Sequence, residues 1–264
     1  MLRSMYSGIS GMKNFQTKLD VIGNNIANVN TFGFKKGRTT FNDLMSQTIA
    51  GATAPGANGG TNPKQVGLGS QIGTIDTVNT QGSLQTTGRP LDLGITGEGY
   101  FTVRDEATQS NYYTRAGNFY LDAKRNIVNG DGLKLQGATG GAITIPTTAQ
   151  SLSIGQDGVV TYVNQQGTTT NAGRIQLRVF DNPEGLEKVG GNLFQSTGNS
   201  GAGTSVNVGT GGSGTLVSGA LEMSNVDLSE EFTEMIVAQR GFQANTRIIT
   251  TSDEILQELV NLKR

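Results

Sequence analysis

Residues 19 to 35 read Leu-Asp-Val-Ile-Gly-Asn-Asn-Ile-Ala-Asn-Val-Asn-Thr-Phe-Gly-Phe-Lys, with amides where the outer face of a surface helix would carry charges. Four asparagines fall within seven residues, at Asn24, Asn25, Asn28 and Asn30. Asparagine is a mediocre helix former, but its side chain donates and accepts hydrogen bonds without the desolvation cost of a full charge. The stretch therefore predicts a polar face buried in an interface, and a merely polar helix end is the alternative.

Apolar residues with three- and four-residue spacing extend through residues 2–29 and predict an amphipathic helix around this stretch. The same spacing through residues 228–262 predicts a second helix, about 50 Å long at 1.5 Å per residue, which Asp227 is placed to cap. A further apolar stripe lies beside the first on that helix, formed by Ile248, Ile255, Leu259 and Leu262. This apolar surface is too broad for one partner, so contacts with two or more neighbours are expected.

Between the predicted helices the apolar period changes to two, which is typical of strands. The runs lie at residues 100–103, 133–135, 143–145 and 175–180. The predicted fold class is α+β, with helical ends at residues 1–40 and 224–264 and a β-rich domain at residues 76–223. A Gly/Ala/Thr-rich linker is predicted at residues 41–75, because this segment has too little apolar surface to offset the ordering of its backbone.

The composition argues against an enzyme. The 264 residues include 39 Gly but no His and no Cys, so the usual neutral-pH base, the thiolate nucleophile and the commonest metal ligands are missing. No catalytic residue, cofactor or metal site is predicted. A net charge of -1 provides no field to attract nucleic acid or an anionic membrane. No apolar run reaches the ~20 residues of a membrane span, so membrane insertion is not expected.

Two local signals have ordinary explanations. Lys35, Lys36 and Arg38 form a small basic cluster that a solvated helix end would explain, without the interleaved aromatic residues of a base-stacking surface. Residues 33–38 lack the Gly-Lys-Ser/Thr ending of a phosphate-binding loop. A polysaccharide-acting enzyme or binding module is the other class open to a Gly-rich β protein, but no pair of carboxylates stands out to support it.

The opening stretch resembles the N-terminal signature of the flagellar rod and hook protein family. At the other end, residues 224–228, Ser-Asn-Val-Asp-Leu, and residues 235–242, Met-Ile-Val-Ala-Gln-Arg-Gly-Phe, resemble the C-terminal signature of that family. Three central stretches also resemble it, at residues 87–95, 97–101 and 113–119. The resemblance covers nearly the whole chain; Gly94 and Gly241 stand where the family often has Ala.

The resemblance implies a structural subunit whose terminal helices form an inner coiled-coil domain around a channel, with an all-β outer domain in the tube wall. It implies a homopolymer in the flagellar hook or basal body, outside the cell after export. Other implied partners are the adjoining rod and hook-filament junction proteins, the hook cap and the flagellar type III export apparatus. The subunit interface is then expected at Leu19, Ile22, Asn24, Asn25, Ile26, Asn28, Phe232, Met235, Ile236, Phe242, Ile249, Leu256 and Leu259.

Phe41 and Met45 frame a short pattern, a Phe followed by three residues and an apolar residue. It resembles the export-gate recognition pattern of early flagellar substrates, so these two residues are a candidate export signal. A helical turn that packs Phe41 on Met45 at i, i+4 is the alternative explanation of the spacing.

Hook and rod subunits share these signatures. The terminal stretches look most like the short hook proteins of Gram-positive bacteria, whereas residues 80–84, Thr-Gln-Gly-Ser-Leu, favour the rod. The sequence therefore predicts a hook subunit that transmits motor torque to the filament while the tube bends. A distal rod subunit, part of the drive shaft of the basal body, is the alternative.

Overall fold

The computed structural model describes residues 2–54 and 59–262, so residues 1, 55–58 and 263–264 of the predicted terminal domain and linker lie outside the described part. The helices of the described part are α1 (Leu2–Ala27) and α2 (Leu228–Asn261), with a short 3-10 turn at Pro183–Gly185. Strands β1 to β20 are, in order, Gly37–Asp43, Gln47–Ala50, Lys64–Val66, Ser70–Thr77, Leu84–Thr86, Leu93–Thr96, Tyr100–Arg104, Asn111–Thr114, Tyr120–Leu121, Ile127–Val128, Lys134–Leu135, Ser151–Ile154, Val159–Val163, Thr169–Arg174, Gln176–Val179, Glu187–Gly190, Leu193–Gln195, Thr204–Asn207, Thr215–Ser218 and Ala220–Glu222.

These elements confirm the α+β class, and both predicted helices are present with ends within two residues of the predicted ones. The start of α2 has the expected chemistry. The Asp227 carboxylate accepts hydrogen bonds from the backbone N–H groups of Ser229, at 2.8 Å, and Glu230, at 3.4 Å. It therefore satisfies two amide groups that have no partner inside the helix.

The chain divides into two compact units, each built from separate parts of the sequence. Unit 1 comprises the described residues of 1–27, 37–77 and 227–264, and unit 2 comprises residues 28–36 and 78–226. Compared with the predicted boundaries, residues 28–36 join the β-rich unit and residues 37–77 join the helical one.

The structure differs from the predicted linker at residues 41–75, because much of this segment is paired. Strand β1 pairs antiparallel with β4, from Gly37 opposite Thr77 to Asp43 opposite Ser70, and β2 pairs with β3. Both β1 and β4 contact α1, where Asn14 Nδ2 donates to Ser70 Oγ of β4 at 2.8 Å. Packing on α1 thus supplies the stabilisation that the segment's own composition lacks.

Unit 2 contains the remaining strands. Its largest sheet has nine strands, with the order β16-β17-β8-β7-β11-β10-β9 and with β15 pairing both β7 and β18. The smaller sheets are β12-β13-β14, β19-β6 and β20-β5. Fully buried Phe101, Val103, Leu135 and Leu177 belong to the main core. A second cluster contains Tyr100, Tyr113, Phe180, Leu186 and Phe194.

Three of the four quoted strand predictions for this unit are confirmed, by β7, β11 and β15. The run at residues 143–145 is different, since its neighbourhood forms only isolated bridges, including Asn126 with Thr144. Ile143 and Ile145 are nevertheless buried in the main core. The apolar alternation therefore correctly predicted which side chains are buried, although this run does not form a regular strand.

A buried ionic cluster joins the first and last segments of unit 2. Lys35 Nζ lies 2.6 Å from Glu222 Oε1, and Arg115 Nη1 lies 3.3 Å from Glu222 Oε2. Lys35 also donates to the carbonyl of Thr80 at 2.8 Å, and the N–H of Gly82 donates to Glu222 at 3.0 Å. Both side chains of the Lys35–Glu222 pair are fully inaccessible to solvent.

The interpretation of Lys35 as part of a solvated helix end is therefore wrong. Burial lowers the pKa of Lys35 below its usual 10.5, and the Glu222 carboxylate acts in the opposite direction by favouring the charged form. The carboxylate that compensates its charge is 187 residues away in sequence, so the local Lys-Lys pattern carried no sign of it.

Candidate subunit-interface surfaces

Helices α1 and α2 pack against each other in opposite directions inside unit 1. Phe15 of α1 lies against Gly241 of α2, while Lys18, further along α1, forms an ion pair with Glu234, earlier in α2. Ile22 is buried in unit 1, although the sequence predicted it for a subunit interface.

Asn25 accounts for part of the Asn-rich stretch. Its side chain is buried, with 2% of the residue exposed. Its Oδ1 accepts a hydrogen bond from Gly37 N and its Nδ2 donates one to Gly37 O, both at 2.9 Å. The same Nδ2 also donates to Glu231 Oε2 at 3.1 Å. One side chain thereby joins α1, the first residue of β1 and the first turn of α2. Its hydrogen-bonding groups are used inside this chain.

Asn225, in the C-terminal signature, has a similar part in unit 2. Its Oδ1 accepts from Lys36 N at 2.8 Å, and its Nδ2 donates to the carbonyl of Val78 at 2.8 Å. The two signature asparagines therefore each connect segments that are distant in sequence. A planar amide can donate and accept at once, which a charged side chain cannot do.

Gly241 lies where the two helices approach each other. A Cβ atom at this position would be 2.6 Å from Cζ of Phe15, much closer than van der Waals contact. Glycine inside a helix is less favourable than alanine by up to about 1 kcal/mol, but at this position it also provides the space for an aromatic ring.

We expect Gly241→Ala to lower the free energy of unfolding of unit 1 by about 1 kcal/mol. Alanine gains about 1 kcal/mol in helix propensity, but overpacking against Phe15 costs about 1–3 kcal/mol. Urea unfolding followed by the circular dichroism of the helices, at low protein concentration, measures the change. In a Phe15→Leu background the added methyl group has room, so the same substitution should stabilise. Equal stabilisation in both backgrounds would show that the ring contact is unimportant.

The predicted interface residues of α2 lie on different sides of the helix. Buried Glu231, Ala238 and Ser252, separated by multiples of seven residues, mark the side that faces α1. Met235, Phe242, Ile249 and Leu256 are half-buried. Phe232, Ile236 and Leu259 are 50%, 58% and 49% exposed. The last three have apolar surface that this chain leaves accessible.

Exposed apolar side chains lie along one flank of α2, and we call this set the outer stripe. It consists of Val237, Ile248, Ile255, Leu259 and Leu262. Four of these residues were recognised from their spacing, whereas Val237 was missed. Phe232 and Ile236 form a separate apolar patch on the opposite flank, so α2 presents two surfaces to possible neighbours.

The remaining predicted residues contribute less exposed apolar surface. Leu19 and Ile26 are half-buried and Asn24 is exposed. Asn28 belongs to unit 2, where its Oδ1 accepts from Thr31 Oγ1 at 3.1 Å.

The paired segment after α1 is a second accessible region of unit 1. Every residue of β2 and β3 is exposed, and apolar Met45, Ile49, Val66 and Leu68 are among the exposed residues of this region. Phe41 lies in β1 with its ring centroid 6.1 Å from that of Phe15. The helical-turn explanation of Phe41 and Met45 is therefore wrong, and their role as an export signal stays a prediction.

The described residues contain no group of three or more side chains suited to hold a metal ion. Neither helix of the described part is long and apolar enough to cross a membrane.

Three family models match the chain. They are described as "Flagella basal body rod protein", "Flagellar hook protein FlgE/F/G D1 domain" and "Flagellar basal body rod FlgEFG protein C-terminal", and they match residues 5–35, 94–162 and 217–262. The first includes most of α1, the third includes all of α2, and the second lies within unit 2.

Curated relatives extend the similarity to the whole chain. Identity is 62% to the flagellar basal-body rod protein FlgG of Bacillus subtilis over 266 positions, with 100% of both chains covered. It is 38% to FlgG of Caulobacter vibrioides, with 99% of this chain and 100% of the relative covered. The flagellar hook protein FlgE of Borreliella burgdorferi is 31% identical, with 100% of both covered, over an alignment of 443 positions. With matches at both signature ends and along its entire length, this chain belongs to the rod and hook protein family, the structural proteins of the bacterial flagellum.

Proposed function

We propose that this chain is a distal rod subunit, which assembles with copies of itself into the drive shaft of the flagellar basal body. The full-length 62% identity to a rod protein carries this proposal. The alignment with a hook protein needs 443 positions for the 264 residues of this chain, so that hook protein contains long segments with no counterpart here. We therefore prefer the distal rod subunit, the alternative in the sequence analysis, to the hook subunit.

The exposed apolar surfaces of α2 support self-assembly. Ile248 and Ile255 of the outer stripe are 44% and 43% exposed, and Phe232 and Ile236 on the other flank are more so. Burying such side chains against another copy gains about 25 cal/mol per Å² of apolar area. Two separate surfaces on one helix let each copy contact two neighbours, which a repeating tube requires.

The segment at residues 37–77 supports a stiff subunit over a flexible one. Bending in the hook interpretation would use a pliable linker at residues 41–75. Instead, β1 and β4 form an extensive antiparallel pair and β2 pairs with β3. Residues paired in these ladders are held in one extended arrangement, which residues of a pliable linker would not be.

In this proposal the terminal helices form the inner layer of the tube and unit 2 contributes to its wall. The chain acts without catalysis. Its partners are further copies, the adjoining rod and hook proteins and the export apparatus, which would recognise Phe41 and Met45 during passage to the growing end.

Complementation in Bacillus subtilis tests the proposal, because the FlgG protein of this host is 62% identical to this chain. The gene is introduced into a strain that lacks FlgG and into a strain that lacks its hook protein. We expect basal bodies with a full-length rod, seen by electron cryotomography, in the first strain only. Purified protein should also form straight tubes. Restoration of a curved hook in the second strain would reverse the assignment.

A further inference from the structure

One edge of strand β7 changes its partner within the large sheet of unit 2. β15 pairs with the beginning of β7, at Tyr100 and Phe101, and β11 pairs with its end, at Val103 and Arg104. A cavity of about 110 Å³ lies over this change of partner. Its wall includes Thr102, Arg104, Gln136, Gln176, Arg178 and Ser205, and we call it the arginine pocket.

The pocket lies on the side of the sheet away from the main core, and its lining is mainly polar. Phe101, Val103 and Leu177 point into that core. Successive side chains of a strand point to opposite faces, so Thr102, Arg104 and their neighbours in β15 point to the other side. None of the described residues that line the pocket is acidic, and two of them are arginines.

Arg104 has a donor without an acceptor. Its Nε is buried and has no hydrogen-bond partner among the described residues, while its Nη2 donates to the side chain of Gln109. A buried donor left without a partner is unfavourable, because its lost hydration is not replaced by another hydrogen bond. Gln136, beside it in the wall, is 8% exposed and its Nε2 donates a long hydrogen bond of 3.4 Å to Lys134 O. The wall therefore contains one buried donor, Arg104 Nε, that has no acceptor among the described residues, and one, Gln136 Nε2, with a long hydrogen bond.

The second arginine is held in place without a carboxylate. Arg178 donates from Nε and Nη2 to the carbonyl of Ala202, at 3.1 and 2.9 Å, and from Nη1 to Ser205 Oγ. A carboxylate in an adjoining cavity, that of Glu106, forms an ion pair with Lys134 at 2.6 Å. That pairing lowers the pKa of Glu106, so this acid is already matched with a cation.

We propose that the arginine pocket binds a carboxylate group. A guanidinium presents parallel N–H donors that match the two oxygens of a carboxylate, and charge-assisted hydrogen bonds of this kind are stronger than neutral ones. In the polymer, a step that rests on the proposed function, the carboxylate is an Asp or Glu side chain of a second copy. Assembly holds that side chain at a high effective concentration, which a weak pocket needs.

The chemistry is tested on the full-length chain below its assembly concentration, with acetate as the probe. We expect saturable shifts of the backbone amide signals of Gln136, Gly137 and Ser205 in nuclear magnetic resonance spectra at constant ionic strength. Arg104→Lys retains the charge but lacks Nε, so it should weaken acetate binding at least five-fold. Inorganic phosphate serves as a second anion. Shifts with phosphate but not acetate, or with neither, would overturn the carboxylate assignment.

Two further variants test whether weaker acetate binding reflects the pocket itself or a loss of folding. Gln176→Glu is nearly isosteric, places a negative charge in the wall and should abolish acetate binding while the remaining spectrum is unchanged. Arg174→Lys is the matched control, since Arg174 also has a buried Nε without a partner but lies outside this wall and pairs with Asp157. A loss of binding in the control equal to that in Arg104→Lys would refute the role of Arg104.

The source of the carboxylate is tested by assembly. If a second copy supplies it, Gln176→Glu should raise the protein concentration needed for tube formation at least ten-fold, and Arg174→Lys should not. Unchanged assembly with lost acetate binding would leave a pocket for free carboxylates and exclude the second copy. If the unmodified chain forms no tubes at all, the proposed polymer fails, and the acetate titration still decides whether the pocket exists.

Discussion

Glu222→Gln should lower the free energy of unfolding of unit 2 by about 3–5 kcal/mol, because it leaves the buried Lys35 ammonium and Arg115 guanidinium without their carboxylate. Urea unfolding of the monomer, followed by tyrosine fluorescence, measures the loss. Asp157→Asn is the matched control. It breaks the exposed Arg174–Asp157 pair of the same unit and should cost less than about 1 kcal/mol.

The pH dependence of the Glu222→Gln defect identifies its cause. Burial already lowers the pKa of Lys35 in the folded chain, and removing Glu222 takes away the influence that opposes this shift. Between that lowered pKa and 10.5 the unfolded chain binds more protons than the folded one, so stability rises with pH. The gap between the variant and the wild type should therefore narrow as the pH rises towards 10.5. A gap that stays constant would assign the defect to packing.

The second large effect concerns the outer stripe. Replacing Ile248, Ile255 and Leu259 together by Ser should raise the concentration needed for assembly about 100-fold. Each side chain is close to half exposed, so its burial against another copy would contribute about 1 kcal/mol to the free energy of association. The triple variant loses about 3 kcal/mol, and each 1.4 kcal/mol changes the assembly concentration ten-fold. Sedimentation of assembled protein over a concentration series measures the change.

A matched triple variant separates surface chemistry from helix propensity. Thr250, Glu254 and Gln257 are exposed polar residues in the same part of α2, and replacing them by Ser introduces the same residue three times. This variant should assemble with less than a five-fold change. Similar defects in both variants would mean that weakening of the helix, and not loss of the outer stripe, limits assembly.

The elements that the sequence predicted best are those specified by local periodicity. The three- and four-residue spacing located both long helices, and Asp227 located the start of α2, because helix formation and capping depend on near neighbours. The outer stripe was largely predicted for the same reason, since side chains on one helical face recur at fixed intervals. The resemblance at both ends gave the correct family, but signatures that hook and rod proteins share could not choose between these two members.

What the sequence could not predict depends on partners far away along the chain. Residues 41–75 look like a linker by composition, and their pairing relies on contacts with α1. Lys35 looks solvated beside Lys36, and its buried partner is Glu222. Asn25 was predicted to lie in an interface between copies, whereas its side chain bonds to Gly37 and Glu231 of its own chain. The residues around Arg104 have the pattern of an ordinary strand. The pocket arises where β7 changes its pairing partner, which the local sequence does not reveal.

The Asn25–Glu231 contact determines when unit 1 can form. These residues are 206 positions apart, so their hydrogen bond requires nearly the whole chain to be present. Hairpins such as β7–β8 and β12–β13 close short loops and can fold early, whereas closure of a very long loop is slow and comes late. Unit 1 can therefore be completed only after α2 is present. In the proposed polymer, the surface formed by α2 docked on α1 does not exist until the final helix is available, which delays association between copies until then.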